Sequence, residues 1–191
     1  MKRLVVGITG ASGVIYGIRL LQVLQAGRVD GVETHLVISP AGRVTIAQET
    51  AWKAGDVEAL ATAVYDQRDI GAAIASGSFA TAGMVIVPCS IKTLSHVATC
   101  DSGDLVARAA DVTLKEGRPL VLVVRETPLH LGHLRLMAQA AEMGAVIMPP
   151  VPAFYGKPQT LDDVIDATVG RVLLRLGFEN DLYTRWLGMA R

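Results

Sequence analysis

Cysteine is scarce in this chain. Its two thiols, Cys89 and Cys100, are too few for a disulfide framework and lack the multi-ligand spacing a zinc site needs. An excess of one charge is also missing. Lysine plus arginine and aspartate plus glutamate number 18 each, so no global field draws the protein to nucleic acid or an anionic membrane, and any anion site has to be local. No apolar run is long enough to span a bilayer. The Met1–Gly7 start resembles a signal peptide only briefly, because Gly7 and the polar Thr9–Gly13 stretch break the run. Internal repeats and low-complexity tracts are absent as well. What remains is a globular protein, expected in reducing cytoplasm.

What is present is apolar residue. Hydrophobic side chains make up 51% of 191 residues against 19% charged, with a mean hydropathy of +0.39. A chain of this length folds as one domain with a real core, and its apolar excess predicts a homo-oligomer whose subunit contacts cover part of the surface. Short β-branched runs at Arg3–Ile8, Glu33–Ser39, Met84–Pro88, Leu120–Val124 and Ala145–Met148 read as strands buried on both faces. Helical periodicity fills the gaps at Val14–Ala26, Val44–Thr50, Ile91–Ala98, Leu105–Lys115, Leu134–Glu142 and Leu161–Leu176. Strand alternating with helix predicts a three-layer α/β/α domain around an open, doubly wound parallel sheet of the flavodoxin or Rossmann kind, with ligands beyond the carboxyl ends of the strands. Ala51–Ala82 is the least regular segment, with an Ala-rich helical piece around Val57–Val64 and a Gly/Ser loop at 75–78. Pro149–Pro152 should leave the last strand in extended form.

Gly7-Ile8-Thr9-Gly10-Ala11-Ser12-Gly13 joins the first strand to the first helix. Small residues there let a phosphate approach backbone amides at a helix N-terminus, with the Ser12 hydroxyl as a further donor; a tight turn with no ligand is the bland alternative. NAD(P) is the obvious competitor for the loop. Dinucleotide binding wants a carboxylate at the end of the second strand, which here ends Val37-Ile38-Ser39-Pro40, and Glu33 lies at its wrong end. None of Tyr16, Tyr65, Tyr155 and Tyr183 has a lysine four residues later, as short-chain dehydrogenases require. A mononucleotide such as FMN fits better.

Arg108 and Lys115 lie seven residues apart on one predicted helix face, Arg125 and Glu126 end the strand Leu120–Val124, Tyr155 sits in a later loop and Arg171 on the last helix. If these converge, they form a second phosphate clamp with a carboxylate beside it to manage a proton. The alternative, a solvated self-paired face at Arg108–Asp111–Lys115 and a surface charge at Arg171, stays open at this point. Asp162-Asp163-Val164-Ile165-Asp166 matches the DDxxD of magnesium-dependent isoprenyl diphosphate enzymes, but behind Thr160 it reads as a capping box with carboxylates in a first helical turn. No metal is therefore expected. His130 and His133 lack a third ligand, and Cys89 reads as a small buried residue at a strand end.

The motifs Thr9–Gly13, Ser76-Gly77-Ser78, Pro88-Cys89-Ser90, Arg108–Val112, Leu114-Lys115-Glu116, Arg125-Glu126-Thr127-Pro128 and Pro152-Ala153-Phe154-Tyr155 together resemble the UbiX-type flavin prenyltransferases along nearly the whole chain. The resemblance implies a dimethylallyl transfer from dimethylallyl monophosphate to N5 and then C6 of reduced FMN, without metal, making prenylated FMN for a UbiD-type decarboxylase, usually in ubiquinone biosynthesis. It implies FMN contacts at Gly10, Ala11, Ser12, Ser39, Ser90, Ile91, Lys92, Thr93 and Arg108. It implies Lys115, Arg125, Tyr155 and Arg171 on the dimethylallyl monophosphate, with Glu49 and Glu126 handling protons beside Lys115 and Arg125. It also implies a large homo-oligomer, a dodecamer, with active sites at subunit contacts and the tail 177–191, including Trp186, packed at one of them. Two alternatives are weighed against it. A phosphopantothenoylcysteine-type flavin decarboxylase needs a catalytic histidine, and His35, His96, His130 and His133 stand in no matching context. A flavin-delivery chaperone needs no second phosphate clamp.

Overall fold

A computed structural model describes residues 1–29, 31–186 and 188. Six parallel strands form one sheet in the order β3-β2-β1-β4-β5-β6, comprising β1 (Lys2–Ile8), β2 (Val32–Ile38), β3 (Ala63–Tyr65), β4 (Gly83–Cys89), β5 (Leu120–Val124) and β6 (Val146–Ile147). The helices are α1 (Val14–Gln25), α2 (Pro40–Glu49), α3 (Ala54–Glu58), α4 (Ile91–Ala98), α5 (Leu105–Lys115), α6 (Leu131–Glu142) and α7 (Leu161–Arg175).

The two-residue period of a strand builds two cores from one sheet. Leu4, Val6, Ile8, Leu36, Ile38, Val85, Val87, Val121 and Val123 point to the face covered by α1 and α7, where they meet Val14, Ile18, Leu21, Ile165 and Val169. The alternate residues Val5, Val37, Met84, Ile86, Leu120, Leu122 and Val124 point to the face covered by α4, α5 and α6, where Leu94, Leu105, Val106 and Ala110 receive them. Full burial of one such side chain contributes about 1.5–3 kcal/mol. Ile86→Ala, at a fully buried position in the middle of the sheet, would cost about 2–5 kcal/mol.

Two departures from the sequence reading bear on function. The Ala-rich piece at Val57–Val64 divides into α3 and the edge strand β3, which pairs only with β2 at His35–Val37. Without β3 the order would be the five-stranded flavodoxin pattern; with it the order is the six-stranded dinucleotide-binding pattern. Helix α2 starts at Pro40, four residues before its periodicity begins. Ser39 caps it, accepting from the Gly42 amide at 3.0 Å, and Pro40 at the first helical position has no amide to leave unpaired.

Because α1 follows β1 on one face and α4 follows β4 on the other, the connections diverge between these adjacent strands. That is the switch point where a doubly wound sheet opens a crevice at its carboxyl edge.

Candidate functional site at the carboxyl edge of the sheet

The loop after β1 is held at both ends by α2. A Cβ on Gly10 would stand 2.3 Å from the Ala41 Cβ, so only glycine lets the start of α2 lie against the loop. At the far end, Glu49 in the last turn of α2 accepts from the Gly13 amide at 2.8 Å. Gly13 has φ 96° and no side chain to cap α1, and the Glu49 carboxylate takes over that role at the positive end of the helix dipole. The anion-ready termini therefore differ from the sequence expectation. The N-terminus of α1 already faces a carboxylate, while those of α2 and α4 face a cavity.

Thr9 joins the two turns across the switch point. Its buried hydroxyl donates to the Pro88 carbonyl at 2.8 Å and accepts from the Ser90 amide at 2.9 Å. Ser90 in turn caps α4, its hydroxyl accepting from the Thr93 amide at 3.2 Å and lying 3.1 Å from the Thr93 hydroxyl. The Ile91 and Lys92 amides are left as first-turn donors that no helix carbonyl reaches.

The cavity these turns surround measures about 710 Å³ and is lined by Gly10, Ser39, Arg43, Gln67, Lys92, Thr93 and Asp104, among others. Of the residues expected on FMN, Gly10, Ser39, Ser90, Lys92 and Thr93 line it. Ile91 packs instead against the α4–α6 core, and Arg108 is turned to Asp111 at 2.9 Å. Ala11 and Ser12 lie beyond the lining, with Ser12 exposed. The structure adds Arg43, Asp66, Gln67, Arg68, His96 and Asp104. Arg43 pairs with Glu58, and Arg68 holds Asp66 through two guanidinium hydrogen bonds at 2.9 and 3.1 Å and one from its amide at 2.8 Å, lowering the pKa of that exposed carboxyl to about 2. Gln67 Oε1 is buried without a partner among the described residues, while its backbone carbonyl is fixed by the Leu105 amide at 2.9 Å. Segment 66–68 follows β3, so missing that strand hid these groups.

A second, smaller cavity of about 210 Å³ brings Tyr155 and Arg171 together with Met148, Val151, Thr168 and Tyr183. Arg171 rests 5.9 Å over the Tyr183 ring, and Trp186 stands edge-on to Tyr155 at 5.9 Å. Of the four residues expected on the donor, these two share a cavity. Arg125 and Glu126 follow β5 at the same sheet edge with exposed side chains; the Arg125 amide donates to the Cys89 carbonyl, and Glu126 accepts from the Thr127 amide at 3.0 Å. Lys115 does not join them. Helix α5 begins at the cavity with Asp104 and runs 11 residues, about 16 Å, to the opposite sheet edge. There Lys115 pairs with Glu116 beside Gly77, next to Arg118, which binds the Gly77 and Phe79 carbonyls. Seven-residue spacing put Arg108 and Lys115 on one face, but helix length separates them, and both carry a local carboxylate.

The other motifs have structural occupations. Thr160 and Asp163 form a capping box, with the Asp163 carboxyl held low by the Gln159 and Thr160 amides. Asp162 and Asp166 both pair with Arg19 of α1, at 2.6 and 3.2 Å. His130 caps α6, which starts at Leu131 rather than Leu134, and its ring lies tilted against His133 at 3.6 Å between centroids. Burial pushes the Cys89 thiol up, out of the range of a nucleophile at neutral pH. The described residues contain no group of three metal-binding side chains. None of the described helices is long and apolar enough to cross a membrane. In the tail, Phe178 and Leu182 are buried in the chain's own core, Trp186 is exposed, and residues 187 and 189–191 lie outside the described residues.

Comparison with known proteins agrees over the whole length. The profile of the Flavoprotein family matches residues 1–173. Flavin prenyltransferase UbiX of Salmonella typhimurium is 64% identical over 190 residues, covering 98% of this chain and 100% of its own. The crystal structure of AnUbiX (PadA1) in complex with FMN and dimethylallyl pyrophosphate superposes with a TM-score of 0.95 at 46% identity, covering 99% of each chain. A dodecameric FMN-dependent UbiX-like decarboxylase from Escherichia coli O157:H7 superposes at 0.93 with 48% identity over 97% of this chain and 100% of its own. With this identity along almost the whole of both chains, the chain belongs to the UbiX family of flavin prenyltransferases.

Proposed function

We propose that this protein transfers the dimethylallyl group of dimethylallyl monophosphate to reduced FMN, joining N5 first and C6 second, and that the prenylated FMN goes to a UbiD-type decarboxylase. The observation that carries this is the presence of two phosphate-ready concavities at one sheet edge, one ringed by helix N-termini and one built on Arg171 and Tyr155. A protein that only delivers flavin has no use for the second.

The residues present fit FMN. The larger cavity has the volume of a cofactor site, glycine at its tightest approach, first-turn amides of α2 and α4 for a phosphate, and the Gln67 carboxamide for a polar group further along. Ser39, Ser90, Lys92 and Thr93 bind and orient the cofactor, and Ala11, Ser12, Ile91 and Arg108 are assigned to it as part of the same proposal. When bound, reduced FMN supplies an electron-rich ring as the prenyl acceptor. Arg171 and Tyr155 hold the donor's phosphate, and Arg125 approaches from the end of β5. An allylic phosphate leaves readily once its charge is neutralised, so positioning and fixed cations do most of the work. Each charge-assisted contact is worth about 1.5–3 kcal/mol. A monophosphate carries less charge than a diphosphate, which lets side-chain cations stand where magnesium otherwise would. The same proposal assigns the holding or moving of a proton to Glu126, which follows Arg125 after β5, and to Glu49, which meets the Gly13 amide.

Lys115 belongs to the clamp only if a second copy presents it, and the proposal therefore includes a homo-oligomer, a dodecamer like the Escherichia coli relative. Val151, which lines the smaller cavity, and Phe154 and Leu161, each more than 70% exposed, are the apolar surface such a contact would cover. The deciding experiment is anaerobic incubation with reduced FMN and either dimethylallyl monophosphate or the diphosphate, followed by mass analysis of the flavin. One added isoprenoid unit is expected with the monophosphate; an unchanged flavin with both donors overturns the reading.

A further inference from the structure

We infer that Thr9 is a positioning residue for flavin binding, and that its hydroxyl sets which amides of the α4 N-terminus are left to meet the cofactor's phosphate. The inference rests on the FMN reading above and deepens it.

Thr9 opens the loop after β1, is 1% exposed and lines neither cavity. A hydroxyl has one proton to donate, and Thr9 gives it to the Pro88 carbonyl at 2.8 Å while accepting from the Ser90 amide at 2.9 Å. Its own amide also donates to the Pro88 carbonyl, at 3.2 Å. Three hydrogen bonds thus tie the residue before Gly10 to the two residues flanking Cys89, across the switch point.

The consequence is a division of donors. Of the four amides at the start of α4, Ser90 is spent on Thr9 and Thr93 on the Ser90 hydroxyl. Ile91 and Lys92 remain as neighbouring donors in the first turn, and Lys92 lines the cavity. Without the Thr9 hydroxyl, the Ser90 amide and the Pro88 carbonyl both lose a buried partner, and the turn is free to rotate toward other acceptors. The Gly10 loop would then no longer be held at a fixed distance from the Ser90 turn, and a phosphate placed between them would find its donors out of register.

The side chain separates into two parts that can be removed independently. Thr9→Val keeps the shape and deletes the hydroxyl; Thr9→Ser keeps the hydroxyl and deletes a buried methyl. FMN affinity is read by fluorescence quenching, and fold stability by the melting midpoint without FMN. Leu24→Ala, a core truncation at the far end of α1, supplies a matched stability loss away from the site. Thr9→Val is expected to weaken FMN binding at least about tenfold. Thr9→Ser and Leu24→Ala should bind within about threefold of wild type although both melt earlier. Affinity that simply follows the melting midpoint across the three variants, or Thr9→Val binding like wild type, overturns the inference. Amide exchange in the wild-type protein without FMN gives an independent reading. The Ser90 amide should be among the slowly exchanging ones, and fast exchange there also overturns it. A wild-type protein that binds no FMN would instead bring down the functional reading itself.

Discussion

Gly10→Ala is the sharpest test of how the loop after β1 makes room for its ligand. The Gly10 backbone is not left-handed, so alanine costs nothing in φ; the whole penalty is steric. The new Cβ would stand 2.3 Å from the Ala41 Cβ and 3.1–3.2 Å from Ala41 backbone atoms, in the first turn of a helix anchored at its far end by the Glu49–Gly13 contact. Overpacking of this kind costs about 1–3 kcal/mol. A domain of this size loses about 2–4 °C per kcal/mol, so the melting midpoint should fall by about 2–12 °C. FMN affinity should fall as well, since the loop can relieve the clash only by moving into or away from the cavity it lines. Ala41→Gly removes the 2.3 Å contact and leaves the two backbone contacts, which a shift of a few tenths of an ångström relieves. The double variant Gly10→Ala/Ala41→Gly should therefore recover most of the affinity and part of the stability, a coupling that calorimetry and FMN titration would measure as a double-mutant cycle. If Gly10→Ala melts and binds like wild type, or if Ala41→Gly rescues nothing, the close approach of α2 is not what requires glycine here.

Other consequences are separable. Arg171→Ala should lower prenyl transfer about tenfold to hundredfold while FMN still binds, with Tyr155→Phe milder because it loses one neutral hydrogen bond; variants that purify without flavin would contradict the two-pocket division. Lys115→Ala and Arg171→Ala should each be impaired alone, yet subunits dissociated, mixed and reassembled should regain activity beyond either variant, because some sites then receive both intact residues; no recovery in reassembled oligomers would place Lys115 outside the clamp. His35 is buried against Tyr65, its Nδ1 2.9 Å from the phenol, and burial lowers its pKa from the usual 6.5. Its neutral form is thus favoured in the fold, so its contribution is full above about pH 6.5 and is lost as pH falls below that value. Melting midpoints between pH 7.5 and about 5 should decline less steeply in His35→Gln than in wild type, and parallel curves would refute the assignment.

The sheet and most helices were legible because a strand buried on two faces and a helix buried on one leave unmistakable periods in the sequence. Leu120–Val124 and Leu105–Lys115 are found to the residue. Strand β3 was not legible. With three residues and a single neighbour, it carries too little buried surface to imprint a pattern on Ala63–Tyr65, and the lining residues Asp66, Gln67 and Arg68 were lost with it. The capping box at Thr160 was readable because both partners lie within four residues of each other. The contact between Glu49 and Gly13 spans 36 positions, and that between Thr9 and Ser90 spans 81.

Sequence by itself determined the fold class, the carboxyl edge at which the cavities open and the family, since each depends on local periods or on contiguous motifs. Tertiary structure alone decided how the charged residues are distributed. Arg171 and Tyr155 share one cavity, Arg125 stands apart from it, and Lys115 faces the opposite edge. Position along the chain could not foretell this. Periodicity specifies which side of a helix a residue occupies, whereas meeting a residue on another element depends on how long the helix is, which way it runs and which strand it follows.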